Sequence, residues 1–111
     1  ALQKALDMDE GMRYLGEVAL VPHDSPISNL NIIFNNTLYD ENASCHLALG
    51  AAITMNIEGS GGLSKEELVK KGVNQSVGHT DFMIGSADLD IDGETADGER
   101  IPLFRNGNWA F

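Results

Sequence analysis

A chain of 111 residues with 42% apolar side chains is long enough for one compact core and too short for two ordinary domains, so residues 1–111 read as a single domain. Its formal charge of −10, with seven Lys and Arg scattered along it, argues against nucleic acid and acidic membranes as partners, because phosphate binding needs clustered cations. No apolar run approaches the roughly 20 residues of a membrane span, no signal segment opens the chain, and the single cysteine, Cys45, cannot form an internal disulfide, which together point to a soluble protein of the reducing cytoplasm.

Ala1 to Leu15 carries apolar residues at a partly helical spacing that Gly11 and the acidic Asp7, Asp9 and Glu10 interrupt, predicting a short helix that ends near Gly11. The opening residues read as the tail of a helix, so a piece of a longer polypeptide is expected. Gly16 to Pro22 is an apolar run closed by proline, a buried strand with Glu17 at its entrance. His23 to Ser28 is turn chemistry, with His23 an exposed loop residue, and Leu30 to Phe34 is a second strand candidate that Asn35 and Asn36 break.

Thr37 with Asp40 three positions on has the form of a capping box, and Glu41 to Ile53 is rich in Ala and Leu, predicting a helix that begins near Asp40. Gly59 to Gly62 is a flexible loop. Ser64 with Glu67 repeats the capping signature, and Gly72 supplies a stop for a short helix over Lys65 to Lys71. Strand character returns from Val77 to Ile84, and the last third, with Leu89, Ile91, Ile101, Leu103 and Phe104 around a Gly- and Asp-rich turn, reads as antiparallel strands. The fold class is α+β: mixed or antiparallel strands with a few helices.

Three short clusters carry the chemistry: Glu17, the segment from Asp40 to His46 (DENASCH), and His79-Thr80-Asp81. Carboxylates beside imidazoles are the ligands of hydrolytic metal centres. On a helix, Glu41 and His46 would lie about 140° apart, which lets them share a site only from its first turn. A capped structural helix explains the same residues. In a strand, His79 and Asp81 point to one face, where they either bind a metal or form a His–Asp hydrogen bond on a solvated surface. A single pocket would explain all three clusters at once.

Other motifs are weaker. Asp88, Asp90, Asp92, Gly93 and Glu99 match the calcium-loop pattern in form, but such loops sit between helices, and the flanks here alternate like strands; a hairpin is expected. Ser44 and Cys45 are neighbours of His46 rather than a nucleophile–base pair, and Cys45 is assigned to the core. The Gly59–Gly62 loop lacks the Lys and Ser/Thr of a phosphate-binding loop.

GEVALVP around Glu17, Ser25 to Ile27, NTLYDENASCHLALG, NQSVGHTDFMIG, LDIDG and FRNGNWA together resemble the C-terminal catalytic region of the M29 family of metallo-aminopeptidases, from Tyr14 onward. The resemblance implies an exopeptidase that removes N-terminal residues from peptides through two divalent ions (zinc, cobalt or magnesium) and an activated water, in a homodimer. It implies metal ligands at Glu17, Glu41, His46, His79 and Asp81, with Glu17 bridging the ions. It also implies a further carboxylate ligand and an N-terminal domain upstream of this chain, so the isolated chain is expected to be an incomplete enzyme. Where the family usually has Tyr near the metals, this chain has Ile53. The alternatives are a non-catalytic module whose clusters hold a structural metal and support dimerisation, and a calcium-binding module on Asp88 to Glu99.

Overall fold

Short amphipathic stretches broken by Gly, Asn and Pro give short elements. The computed structural model describes residues 2–111. In chain order these form α1 (Leu2–Leu6), β1 (Leu15–Ala19), α2 (Thr37–Glu41), β2 (His46–Gly50), α3 (Lys65–Lys70), β3 (His79–Met83), β4 (Ile91–Glu94), β5 (Arg100–Arg105) and β6 (Asn108–Trp109), with 3₁₀ turns at Glu10–Arg13, Ser28–Leu30 and Ser60–Gly62. Two three-stranded sheets, ordered β1-β2-β3 and β4-β5-β6, complete an α+β architecture. None of the described helices is long and apolar enough to cross a membrane.

By its internal contacts the chain divides into two compact units, Ala1–Val18 with Leu47–Phe82, and Ala19–His46 with Met83–Phe111. In the first unit, the end of β2 meets the starts of its neighbours: Gly50 N–H donates to Tyr14 O (2.9 Å) and Ala51 N–H to Gly78 O (2.7 Å), the sense of antiparallel pairing. Met12 lies fully buried here, with Ala48, Leu68 and Val73. Asp9 explains why the opening helix gives way before Gly11. Its backbone is extended and its carboxylate accepts from Met12 N–H (2.9 Å), so it caps a new 3₁₀ turn rather than continuing α1. α3 has both bonds of the capping box, Ser64 N–H to Glu67 Oε2 (2.8 Å) and Glu67 N–H to Ser64 Oγ (3.3 Å), and Gly72 follows in the left-handed region at φ 86°, as the sequence predicts.

In the second unit, β4 and β5 form the expected hairpin, with Glu94 opposite Arg100 and a register shift at Ile91/Asp92. β6 pairs only with Phe104 and Arg105, so Pro102 sits on a stretch of β5 with one strand neighbour, where its missing N–H costs no second ladder. Phe104 is fully buried, its ring edge-on to Trp109 at 4.5 Å. Two expectations from the sequence fail. Leu30 to Phe34 is not a strand: Asn31 and Asn35 both take left-handed backbone (φ 52°), bracketing Ile32 and Ile33, which remain exposed. The helix expected from Asp40 to Ile53 is instead α2 ending at Glu41, followed by strand β2. Asn36 is the true cap, its side chain accepting from Leu38 N–H, while Asp40 turns back onto the N–H groups of Phe34 and Asn36. In β2, burial alternates along His46, Ala48 and Gly50, the period of a strand, and pairing on both edges overrides the helical preference of Ala and Leu.

Candidate metal centre

Glu17 is carried by β1, His79 and Asp81 by β3, the outer strands of the first sheet, and all three belong to the first unit. Strand periodicity sends His79 and Asp81 to one side, and His79 Nε2 lies 3.2 Å from Asp81 Oδ1 and 3.7 Å from Glu17 Oε2. One ligand atom from each residue falls within 4.8 Å of the others. An ion bound at about 2.1 Å to each of three tetrahedrally disposed ligands separates those ligands by roughly 3.4 Å, so the set fits a metal with little movement.

The second imidazole nitrogen decides the chemistry of the first. His79 Nδ1 is 2.6 Å from the carbonyl oxygen of Ala51, and a carbonyl can only accept, so Nδ1 carries the hydrogen. Nε2 is thereby the atom presented to the two carboxylates. With no metal, that nitrogen and two anionic groups favour a proton between them. Partial burial works against the imidazolium, but the Ala51 carbonyl and the charges of Asp81 and Glu17 outweigh it and hold the His79 pKa above its ordinary value. The side chains are sheltered without being sealed, at 27% exposure for His79, 30% for Glu17 and 11% for Asp81. An imidazole nitrogen facing two carboxylates is a donor set that fits a divalent cation.

Glu41 and His46, the other two expected ligands, fall in the second unit. Glu41 is the half-buried last residue of α2, and His46 opens β2 at 4% exposure. Since α2 ends before His46, the helical angle between them does not apply. His46 Nδ1 lies 2.9 Å from Ser44 O, so it too donates to a backbone carbonyl and leaves Nε2 as the nitrogen suited to a metal. Cys45 is in the core as expected, its thiol donating to Val21 O and accepting from Val21 N–H, both at 3.2 Å. His23 is exposed in its turn. The formal calcium-loop carboxylates have other employment: Asp88 accepts from Ser86 Oγ, Asp90 from Asn106 N–H, and Asp92 pairs with Arg105 across the hairpin. Ile53, half exposed, brings no polar atom to the first unit.

Two contributors to the cluster escaped sequence reading. The Ala51 carbonyl has no side-chain signature at all. Gly16 does have one, a glycine beside an acidic strand residue, because a Cβ there would lie 2.5 Å from both Gly50 O and Ala51 O.

Residues 1–109 match the family model described as thermophilic metalloprotease (M29). Among curated proteins, aminopeptidase AmpS of Bacillus subtilis (strain 168) is 66% identical over 110 residues, covering 99% of this chain and 27% of that protein. Aminopeptidase T of Thermus aquaticus is 52% identical over 108 residues, 97% of this chain and 26% of its own length. The solved structure of wild-type AmpT from Thermus thermophilus superimposes with a TM-score of 0.87 at 49% identity, over 99% of this chain and 26% of that one. The chain thus spans about a quarter of the length of these relatives. Sequence, fold and a family match over nearly every residue agree that the chain belongs to the M29 family of metalloproteases.

Proposed function

We propose that this chain is the metal-holding segment of a longer aminopeptidase of the cytoplasm, a homodimer that removes N-terminal residues from peptides. Glu17, His79 and Asp81 would hold a divalent ion, and Glu41 and His46 would supply the further ligands of the two-ion centre that the family resemblance implies. The observation that carries this reading is the meeting of His79 Nε2 with two carboxylates while Nδ1 is committed to Ala51 O. The names of the relatives support the reaction class.

Bound zinc, cobalt or magnesium supplies Lewis acidity toward a peptide carbonyl and lowers the pKa of water. The rest falls to the chain. Ala51 fixes the His79 ring and its tautomer, so Nε2 needs only to lose its proton to become a ligand. Glu17 and Asp81 bring two negative charges that balance a dication and favour it over a monovalent ion. Because the three ligands sit on paired strands rather than on loops, they are held in place before an ion arrives.

The reading is tested by elemental analysis and anomalous scattering on the intact protein, together with release of N-terminal residues from aminoacyl-nitroanilides. Two transition-type ions and metal-dependent turnover that His79→Ala abolishes are the expected result. One closed metal site with no turnover would favour the dimerisation module, and a protein that binds only calcium would overturn both.

A further inference from the structure

The backbone of Gly50, Ala51 and Ala52, at and just past the end of β2, is pinned at every residue. The Asn74 side-chain Nδ2 donates to Gly50 O (2.7 Å) and to Gly11 O (2.8 Å), using both of its hydrogens. Asn74 also accepts through its own carbonyl from Ala52 N–H (2.9 Å), so it grips the chain on either side of Ala51. Ala51 between them donates to Gly78 O, the residue before His79, and accepts from His79 Nδ1. Gly16 then presses β1 onto the same turn, one residue before Glu17. A single backbone turn is therefore the reference for ligands on two strands.

We propose that Asn74 is a positioning residue of the metal centre, acting on His79 through the Ala51 carbonyl, with Gly16 setting Glu17 against the same turn. This rests on the reading of Glu17, His79 and Asp81 as ligands. Asn suits the place because it offers two donors on a short side chain. Asp would set a carboxylate against two carbonyl oxygens, and an apolar residue would leave both carbonyls short of a donor. An imidazole whose acceptor shifts can rotate or exchange tautomers, and Nε2 then ceases to be the fixed ligand atom.

A purely structural Asn74, tying three segments together, would lower stability and leave the affinity of the folded protein alone. The test therefore measures, in the intact protein, Co²⁺ affinity by chelator competition, the visible spectrum of the bound Co²⁺, and thermal unfolding of the metal-free form. Asn74→Ala and Gly16→Ala are each expected to weaken Co²⁺ binding about tenfold or more and to alter the spectrum at temperatures where the variant is fully folded. Gly61→Ala, whose new Cβ meets nothing within 4 Å, is expected to match the parent in both. Should Asn74→Ala not fold, Asn74→Ser, which keeps one donor, carries the same expectation. Affinity within about twofold and an unchanged spectrum, with only the melting temperature lowered, would overturn the proposal by making Asn74 structural. Failure of the underlying site has a different signature: Glu17→Gln and His79→Ala would then bind Co²⁺ like the parent, and the proposal would fall with it.

Discussion

Asp9 illustrates how one carboxylate joins local structure to the segment that leads into the candidate site. It caps the Glu10–Arg13 turn through Met12 N–H and also accepts from Ser76 Oγ and Val77 N–H, both at 2.8 Å, just upstream of His79. The Val77 and Ser76 hydrogen bonds, helped by Met12 and opposed by some burial, hold its pKa below the ordinary 3.8. A carboxyl whose folded pKa is depressed stabilises the fold above its unfolded value, and that contribution is lost as pH falls through the folded value. The parent chain is therefore expected to lose stability on acidification below about pH 4 more steeply than Asp9→Asn, which has no charge to neutralise. Urea midpoints measured at several acidic pH values decide it, and parallel acid limbs for the two proteins would show that Asp9 contributes nothing.

At the scale of elements, legibility followed the locality of the signal. The capping box of α3 needs only Ser64 and Glu67, two residues three positions apart that bond to each other, and it is readable. Ser64→Ala is expected to cost about 1 kcal/mol of local helix stability, seen as faster amide exchange from Lys65 to Lys70. The β4–β5 hairpin is also readable, since Leu89 and Ile91 alternate with Asp88, Asp90 and Asp92 ahead of the Asp97-Gly98 turn. With Asp88, Asp90 and Asp92 already engaged by Ser86, Asn106 and Arg105, millimolar calcium is expected to leave the melting temperature unchanged, and a clear rise would restore the calcium-loop reading. The helix assigned from Asp40 to Ile53 failed for the opposite reason. His46 to Gly50 is too short for periodicity to separate helix from strand, and what settles it is pairing with β1 and β3, partners distant in sequence. The candidate site divides the same way. His79 and Asp81 share a strand and their common face was predictable, whereas their approach to Glu17 depends on sheet order, and the Ala51 carbonyl leaves no mark in composition.

At the scale of the molecule, the fully buried apolar side chains are few. Met12, Cys45, Ala48 and Phe104 are essentially sealed, while Ile33, Leu38, Met55, Val77 and Phe111 each leave more than 70% of their surface exposed. Isolated exposed apolar residues are ordinary, but this many on a short chain is the pattern of a surface that continues against further protein. Relatives about four times as long fit the same picture, since the chain covers 27% of AmpS and 26% of aminopeptidase T. Metal-dependent hydrolysis of the kind proposed needs its ion in fixed geometry, and if the further carboxylate implied by the family resemblance is required, a shell without it loses affinity and leaves its remaining charges poorly balanced. The 111-residue chain alone is therefore expected to bind an apolar dye such as ANS and to turn over aminoacyl-nitroanilides or dipeptides weakly or not at all with zinc, cobalt or magnesium. The longer aminopeptidase proposed above is expected to do the reverse, excluding dye and releasing N-terminal residues in a metal-dependent reaction. Strong turnover by the isolated chain would show that every ligand the reaction needs lies within these residues.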